Sequence, residues 1–179
     1  MNTPDLSFQA LEKARALLAD STPLNRDCGR LCAAACCQGE GVDCWGGMLL
    51  FPGEEGLYQA LPEGFAITPD EGVLPGGRLL SCQGFCDRAR RPLACRIFPL
   101  AILLDEAETP WVALDPRAWP ICPLMPSGLE GLSAGFVSAV KEAAGVLAQA
   151  AEMRAFLRGQ TRFIRRLQKP LWEESGAAL

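Results

Sequence analysis

The sequence predicts an α+β protein in which a cysteine-rich, loop-rich core with short strands is flanked by an N-terminal and a C-terminal helix. Three observations predict this class. Apolar residues recur at helical spacing near both ends of the chain. All nine cysteines lie between these segments, from Cys28 to Cys122, and glycine and proline are frequent there, which keeps regular elements short. With 179 residues, 49% of them apolar, the chain is long enough to bury a hydrophobic core.

The helical ends define two parts of the chain. Leucine and alanine repeat at helical spacing up to Asp20, and Asp5 suits the positive end of a helix that begins near the N-terminus. We therefore assign 1–127 to the N-terminal helix together with the cysteine-bearing region. The remainder, 128–179, is expected to be a helical segment packed on it.

Within these parts, single elements are expected at defined positions. The C-terminal helical pattern runs to Gln168, with a bend at Gly145 or Gly159. An acidic turn at residues 105–108 is expected to join two strands into a hairpin. A short helix is expected at residues 52–61, and strands are expected at residues 48–51, 78–81, 97–104 and 111–114.

Charge and composition exclude several classes of function. The chain contains no histidine, which excludes Ser-His-Asp and Cys-His catalysis and any histidine-ligated metal. A metal ion would have to be held by sulfur or oxygen. The net charge of -4 argues against a nucleic-acid partner, whereas a protein partner stays open.

The apolar segments of the chain indicate its cellular compartment, which bears on whether the cysteines are reduced or form disulfides. The first residues contain no secretory segment, and the longest apolar stretch, 131–151, contains Lys141 and Glu142, which argues against a membrane span. A cytoplasmic location is therefore expected, where structural disulfides are rare. Nine is also an odd number, so complete disulfide pairing would leave one thiol over.

The cysteine spacing indicates metal binding. Thiolates are soft anionic ligands for zinc and iron, and clustered thiolates repel one another unless a cation neutralises them. If Cys28, Cys32 and Cys36 lay on one straight helix, its end residues would be roughly 12 Å apart. Sulfurs on one zinc ion lie only about 4 Å apart. Either this segment is not one straight helix, or the three cysteines do not share one ion.

The pattern resembles a known family. Cys28, Cys32, Cys36-Cys37, Cys82, Cys86 and the run Arg91-Pro92-Leu93-Ala94-Cys95-Arg96-Ile97-Phe98-Pro99, followed by Cys122, are similar to the YkgJ-type cysteine-cluster proteins. The resemblance implies a zinc- or iron-chelating domain, and relatives include flagellin lysine N-methylase-like proteins. Three residues rather than two separate the first cysteines, Cys44 has no counterpart, and the radical S-adenosylmethionine motif is absent.

The resemblance implies a set of eight ligands. Eight thiolates would fill two four-sulfur sites, and either Zn²⁺ or an iron–sulfur cluster fits them. We expect a metal-binding protein whose thiolate-held metal organises the fold; the alternative is an iron–sulfur-dependent enzyme of redox or protein-methylation type. Disulfides remain a third reading of the cysteines. The expected metal ligands are Cys28, Cys32, Cys36, Cys37, Cys82, Cys86, Cys95 and Cys122.

Two arginines of this region are candidate cofactor-binding residues. Arg91 and Arg96 accompany Cys95, and their charge suits a thiolate-rich site or an anionic group of a substrate. Pairing with nearby acids at the surface is the alternative. A second group of arginines recurs every four residues near the C-terminus and is expected to be a solvated helix face: Arg154, Arg158, Arg162 and Arg166.

Overall fold

The computed structural model describes residues 5–38, 46–58, 60–84 and 87–168, and within these ranges it has the α+β class that the sequence predicts. The helices are α1 (Leu6–Leu17), α2 (Gly29–Cys32), α3 (Leu93–Ile97), α4 (Ala134–Leu147) and α5 (Ala151–Leu167). The strands are β1 (Gly46–Leu49), β2 (Phe65–Pro69), β3 (Arg78–Cys82), β4 (Leu100–Leu104) and β5 (Pro110–Leu114).

The main hydrophobic core lies between the helices and the β4–β5 hairpin. Helix α1 packs against α4 and α5, and α4 and α5 pack against the two antiparallel strands of this hairpin. Phe51 reaches this core and contacts Phe156 of α5, with ring centroids 4.7 Å apart and the ring planes tilted by 44°. Among the cysteines that the structure describes, none belongs to this core.

Helix α1 begins where the sequence suggests and ends earlier. The Asp5 side chain accepts a hydrogen bond from the Ser7 amide at 3.1 Å, which caps the helix. The helix ends at Leu17 rather than near Asp20. A carbonyl in its last turn and carbonyls of the residues that follow it accept hydrogen bonds from arginines elsewhere in the chain, as described below.

The C-terminal helical segment is interrupted, but at neither predicted glycine. The break is at residues 148–150, where Ala150 has extended backbone. Gly145 lies within α4 on its exposed side, and Gly159 lies within α5 directly beneath Val73. Both glycines stay helical because apolar neighbours along each helix are buried in the core.

The middle of the chain forms a three-stranded antiparallel sheet in the order β1-β3-β2. Strand β2 was not expected from the sequence. The expected strand at 97–104 begins only at Leu100, because residues 93–97 form α3. Residues 54–57 form a short 3₁₀ turn instead of the longer helix expected there. Of the helices described, none is both long and apolar enough to cross a membrane.

Candidate metal centre

The first cysteine segment is not one straight helix, which decides between the two alternatives that its spacing left open. Helix α2 ends at Cys32, and a separate 3₁₀ turn at residues 35–37 carries the next two cysteines. Between them, Ala33 and Ala34 have positive φ angles of 50° and 56°. The chain therefore reverses its course between Cys32 and Cys36, which removes the long separation that a straight helix would impose.

This reversal is strained and locally supported. Left-handed backbone costs a residue with a side chain about 1–2 kcal/mol. Two hydrogen bonds hold the turn: the Ala34 amide donates to the Gly29 carbonyl at 2.8 Å, and the Gln38 side chain donates to the Ala33 carbonyl at 2.8 Å. Backbone strain of this kind concentrates at functional sites.

Four cysteines line a small cavity, which we call cavity A. Cys28 lies just before helix α2 and Cys32 is the last residue of that helix, and the 3₁₀ turn supplies a third cysteine. The fourth lies in a turn after β5, where its amide donates to the Ala118 carbonyl at 2.8 Å. The space open to the centre of a water molecule in this cavity is about 30 Å³. The cysteines of cavity A are Cys28, Cys32, Cys36 and Cys122.

A second cavity, cavity B, lies against one face of the three-stranded sheet. The register places Cys82 opposite Phe65, and it places Leu80 opposite Met48. Because side chains two apart on a strand share a face, these four residues line the same side of the sheet. The space open to a water centre is about 40 Å³. The cysteines of cavity B are Cys36, Cys37, Cys82 and Cys95.

The two cavities adjoin. Cys36 and Phe98 line both of them, so these two side chains form the boundary between cavity A and cavity B. Of the cysteines that the structure describes, Cys36 is the exposed one, whereas the other six are partly buried.

The thiols of cavity A influence one another electrostatically. Burial raises the pKa of the Cys28 thiol, and the neighbouring Cys32, Asp27 and Cys122 raise it further. A raised pKa is the expected result where several groups of the same charge share a partly buried space. A bound cation would reverse this effect, because a metal ion favours the deprotonated thiolate.

The adjacent pair Cys36 and Cys37 behaves as donor and acceptor. The Cys36 thiol donates a hydrogen bond to the Cys37 sulfur, which lowers the pKa of Cys37 to about 6 and raises that of Cys36. The Arg91 guanidinium contributes to the lowered pKa of Cys37, whereas burial and Asp27 oppose it. Arg91 also lines cavity B and supplies a positive charge at its wall.

Arg96, the other candidate arginine, is engaged elsewhere. Its side chain is buried, with 7% of its surface exposed, and it donates to three backbone carbonyls at 2.9 to 3.1 Å. Two of these carbonyls belong to Ala89 and Arg91, and the third is that of Arg15 in α1. The geometry therefore gives Arg96 a positioning role: it holds the chain segment before Cys95 against α1.

Arg88 completes this attachment at the C-terminal end of α1. Its guanidinium donates to the carbonyls of Ala19 at 2.6 Å and Leu18 at 3.1 Å, and also to that of Ser21. The last carbonyls of a helix lack partners within the helix, and a cation there also suits the helix dipole. Arginines near the cysteines thus satisfy the end of a helix that belongs to the main core.

A buried ion pair between Arg15 and Glu54 also connects α1 to the cysteine-bearing part of the chain. Glu54 is fully buried and accepts hydrogen bonds from Arg15 at 2.5 Å, from the Leu93 amide at 2.7 Å and from the Phe51 amide at 3.1 Å. Burial raises the pKa of the Glu54 carboxyl, and the contacts with Arg15 and the two amides oppose that rise. Arg15 also donates to the Ala89 and Arg91 carbonyls.

The C-terminal arginines are partly engaged in structural contacts. Arg158 pairs with Glu108 of the hairpin through two bonds of 2.6 and 2.7 Å, and Arg154 donates to the Ala148 carbonyl at 3.0 Å. Arg162 and Arg166 are exposed and flank an open groove beside Val73.

Seven of the eight cysteines expected as ligands are therefore placed in two neighbouring groups. The eighth, Cys86, lies outside the described residues, as does Cys44. In the described ranges, no three cysteine or acidic side chains stand together as a formed metal-binding group. The donor set nevertheless suits a soft metal ion, because it consists of thiols around small cavities. Each thiol can reorient among the staggered rotamers of a single side-chain bond.

Sequence reasoning missed the supporting residues of this centre. Arg15 lies in α1, where the sequence pattern identifies only the apolar residues of the buried face. Glu54 follows a Pro-Gly turn, which is typical of exposed chain, although the residue is buried. Their pairing joins residues 39 positions apart. No local pattern marks such a contact.

The fold and the site together define a small α+β protein with a cysteine centre beside a helical core. No protein-family model, curated protein or solved structure matches the chain.

Proposed function

We propose that this protein binds metal ions through its cysteine thiolates, and that the bound metal organises the cysteine-bearing part of the fold. The observation that carries the proposal is the convergence of cysteines from four separate segments on cavities A and B. These segments are separate in sequence, and clustered thiolates repel one another unless a cation neutralises them. The proposal is consistent with the resemblance to the YkgJ-type family.

The size of the cavities favours single ions. One water molecule needs about 10–15 Å³ of such space, so volumes of 30 and 40 Å³ suit a single ion with its ligand sulfurs turned inward. Zn²⁺ is the ion that best fits tetrahedral thiolate coordination without redox chemistry. The iron–sulfur enzyme considered above is therefore the second candidate.

The cytoplasm is the compartment that suits this chemistry, because its thiols stay reduced. Arg91 supports anionic ligands at cavity B by its positive charge. Because a metal ion binds the deprotonated thiolate, metal binding would release the protons of the thiols.

Anaerobic purification followed by elemental and acid-labile sulfide analysis tests the proposal. We expect a colourless protein that contains zinc and lacks sulfide. A brown protein with iron and sulfide would instead support the cluster-containing enzyme. Metal-free protein with nine titratable thiols and an unchanged fold would contradict both.

Single cysteine variants rank the ligands. Cys32→Ser and Cys95→Ser are expected to lower metal content and thermal stability more than Cys44→Ser does, because Cys32 and Cys95 line the cavities and match the family pattern. Metal content per chain and the melting temperature are measured for all three variants. Equal retention of metal by the three would contradict the ranking.

A further inference from the structure

Helix α5 and the loop that precedes β3 form the walls of an open groove. The loop lies directly on the helix at Gly159, where the absence of a side chain lets the Val73 carbonyl approach the helix backbone. Three arginines of the last turns of α5 line the space beside this contact, which offers about 510 Å³ open to the centre of a water molecule. We call it the basic groove, and its residues are Val73, Gly159, Arg162, Arg165 and Arg166.

The arginines of the basic groove have few partners in the part of the chain that the structure describes. All three side chains are exposed. Within that part, Arg162 and Arg165 form no ion pair and donate no side-chain hydrogen bond. Arg166 donates to the Gly72 carbonyl over a long distance of 3.5 Å. Three positive charges therefore face the groove without a nearby counter-charge among the described residues.

The acids of the adjacent loop do not neutralise these charges. Of the described residues that line the groove, none is acidic and none is aromatic. Asp70 and Glu71 lie in the loop, where Asp70 accepts a hydrogen bond from the Gly72 amide at 2.8 Å, and neither forms an ion pair with an arginine of the groove. Because a guanidinium group pairs with carboxylates and phosphates through two parallel hydrogen bonds, the groove fits an anionic occupant.

We propose that the basic groove binds an extended acidic segment of a partner protein, whose glutamate or aspartate carboxylates pair with the arginines. Arg162 and Arg166 are four residues apart, which places them about 6 Å apart along the helix axis. Alternate side chains of an extended chain share a face and lie about 6.6 Å apart. Successive carboxylates on one face of such a segment therefore match the two arginines.

The basic groove suits a polypeptide better than a nucleic acid. Proteins that bind single strands combine a basic groove with aromatic side chains on which the bases stack, and the described lining offers none. The net charge of -4 also opposes the approach of a long polyanion, whereas a short acidic segment meets mainly the local positive charge.

Fluorescence anisotropy of a labelled hexaglutamate peptide, titrated with the full chain at low salt, tests the proposal. Hexaglutamine and a thymidine hexanucleotide with the same label are titrated in parallel. We expect hexaglutamate to bind more tightly than either, and added salt to weaken its binding, because exposed charges are screened. Tighter binding of the oligonucleotide would assign the groove to nucleic acid and overturn the proposal, as would equal binding of hexaglutamine.

Paired variants locate the binding site. Arg162→Gln combined with Arg166→Gln should weaken hexaglutamate binding by about tenfold, the effect of losing two exposed ion pairs. Lys13→Gln combined with Lys141→Gln is the matched control, because it removes the same charge from exposed positions of α1 and α4. The control should weaken binding by about twofold at most. Circular dichroism verifies that both variants fold, as expected for substitutions at exposed positions.

The outcomes separate this inference from metal binding. The basic groove shares no residue with cavities A and B, so the arginine variant should keep the metal content of the unmodified protein. Unchanged affinity in the arginine variant, or equal weakening in the control, would overturn the groove as the peptide site whatever the metal content. Absence of metal from all three proteins would contradict the proposed function and leave the peptide result to be judged by itself.

Discussion

Glu54 joins the helical core to the cysteine-bearing region through a few well-defined bonds. Both of its carboxylate oxygens are acceptors: one receives Arg15 and the Leu93 amide, and the other receives the Phe51 amide. Leu93 begins the short helix that carries Cys95. A charge at this buried position is therefore satisfied by one cation and two amides, as a buried carboxylate requires.

Replacing this carboxylate by an amide should be costly. In Glu54→Gln, one of the two accepting oxygens becomes an NH₂ group that faces a donor, and Arg15 loses its counter-charge. Loss of one partner of a buried ion pair destabilises a protein by about 3 kcal/mol. We expect a loss of that size in the free energy of unfolding, measured by urea denaturation.

Glu55→Gln is the control, because Glu55 lies in the same 3₁₀ turn but is exposed. It should change stability by no more than about 0.5 kcal/mol. Equal stabilities of the two variants would show that the buried pair contributes nothing to the fold.

Single residues also show how far the sequence could be used to predict the site. The cysteines were identifiable because clustered thiolates repel one another unless a cation neutralises them, so their spacing alone marks a candidate site. Between the two candidate arginines, the sequence favoured Arg96, because it sits directly beside Cys95, whereas Arg91 lies four residues before it. Only the fold shows that Arg96 is directed at backbone carbonyls and that Arg91 lines cavity B.

In helix α5, Gly159 lets a neighbouring loop pack closely on the helix backbone. A Cβ atom built on Gly159 would lie 2.3 Å from the Val73 carbonyl oxygen, which is closer than real contacts allow. The loop that precedes β3 therefore packs directly on the backbone of α5. Gly145 in α4 offers the opposite situation, because a Cβ there meets nothing within 4 Å.

The two glycines should respond to alanine with opposite signs. Gly159→Ala forces the loop away from α5, and overpacking of this kind costs about 1–3 kcal/mol. Gly145→Ala should stabilise the protein by about 1 kcal/mol, because alanine is the better helix former. Chemical denaturation of both variants measures the two changes. Stabilisation by both substitutions would mean that the loop does not rest on Gly159.

The elements that sequence patterns predicted correctly are those with strong local signals. Helix α1 and the β4–β5 hairpin have clear apolar periodicity and a polar turn. The glycines misled the prediction of the C-terminal break, since a helix interior tolerates glycine when its neighbours are buried. Strand β2 carries little apolar periodicity, and its position follows from pairing with β3 rather than from local preference.

The described part of the molecule consists of a main hydrophobic core and a cysteine-bearing part outside it. The helices and the hairpin share one continuous apolar core. The described cysteines lie outside that core, and one of them, Cys122, packs against a smaller cluster around Phe98 and Met125. The sequence predicted this division from composition, but the grouping of the cysteines depended on the chain reversal after α2, which has no glycine or proline to announce it.

Metal removal should therefore loosen one part of the molecule and leave the other intact. After chelation under reducing conditions, hydrogen exchange should accelerate by about tenfold or more in residues 28–38, because a loss of about 1.4 kcal/mol of local stability corresponds to that factor. Helix α4 and the β4–β5 hairpin, buried in the main core, serve as internal references and should exchange at unchanged rates. Mass spectrometry of peptic peptides from the same sample measures both. If exchange accelerates evenly over the whole chain, the apolar core depends on the metal as well. If exchange in residues 28–38 is unchanged when the bound metal is lost, the metal does not organise this segment.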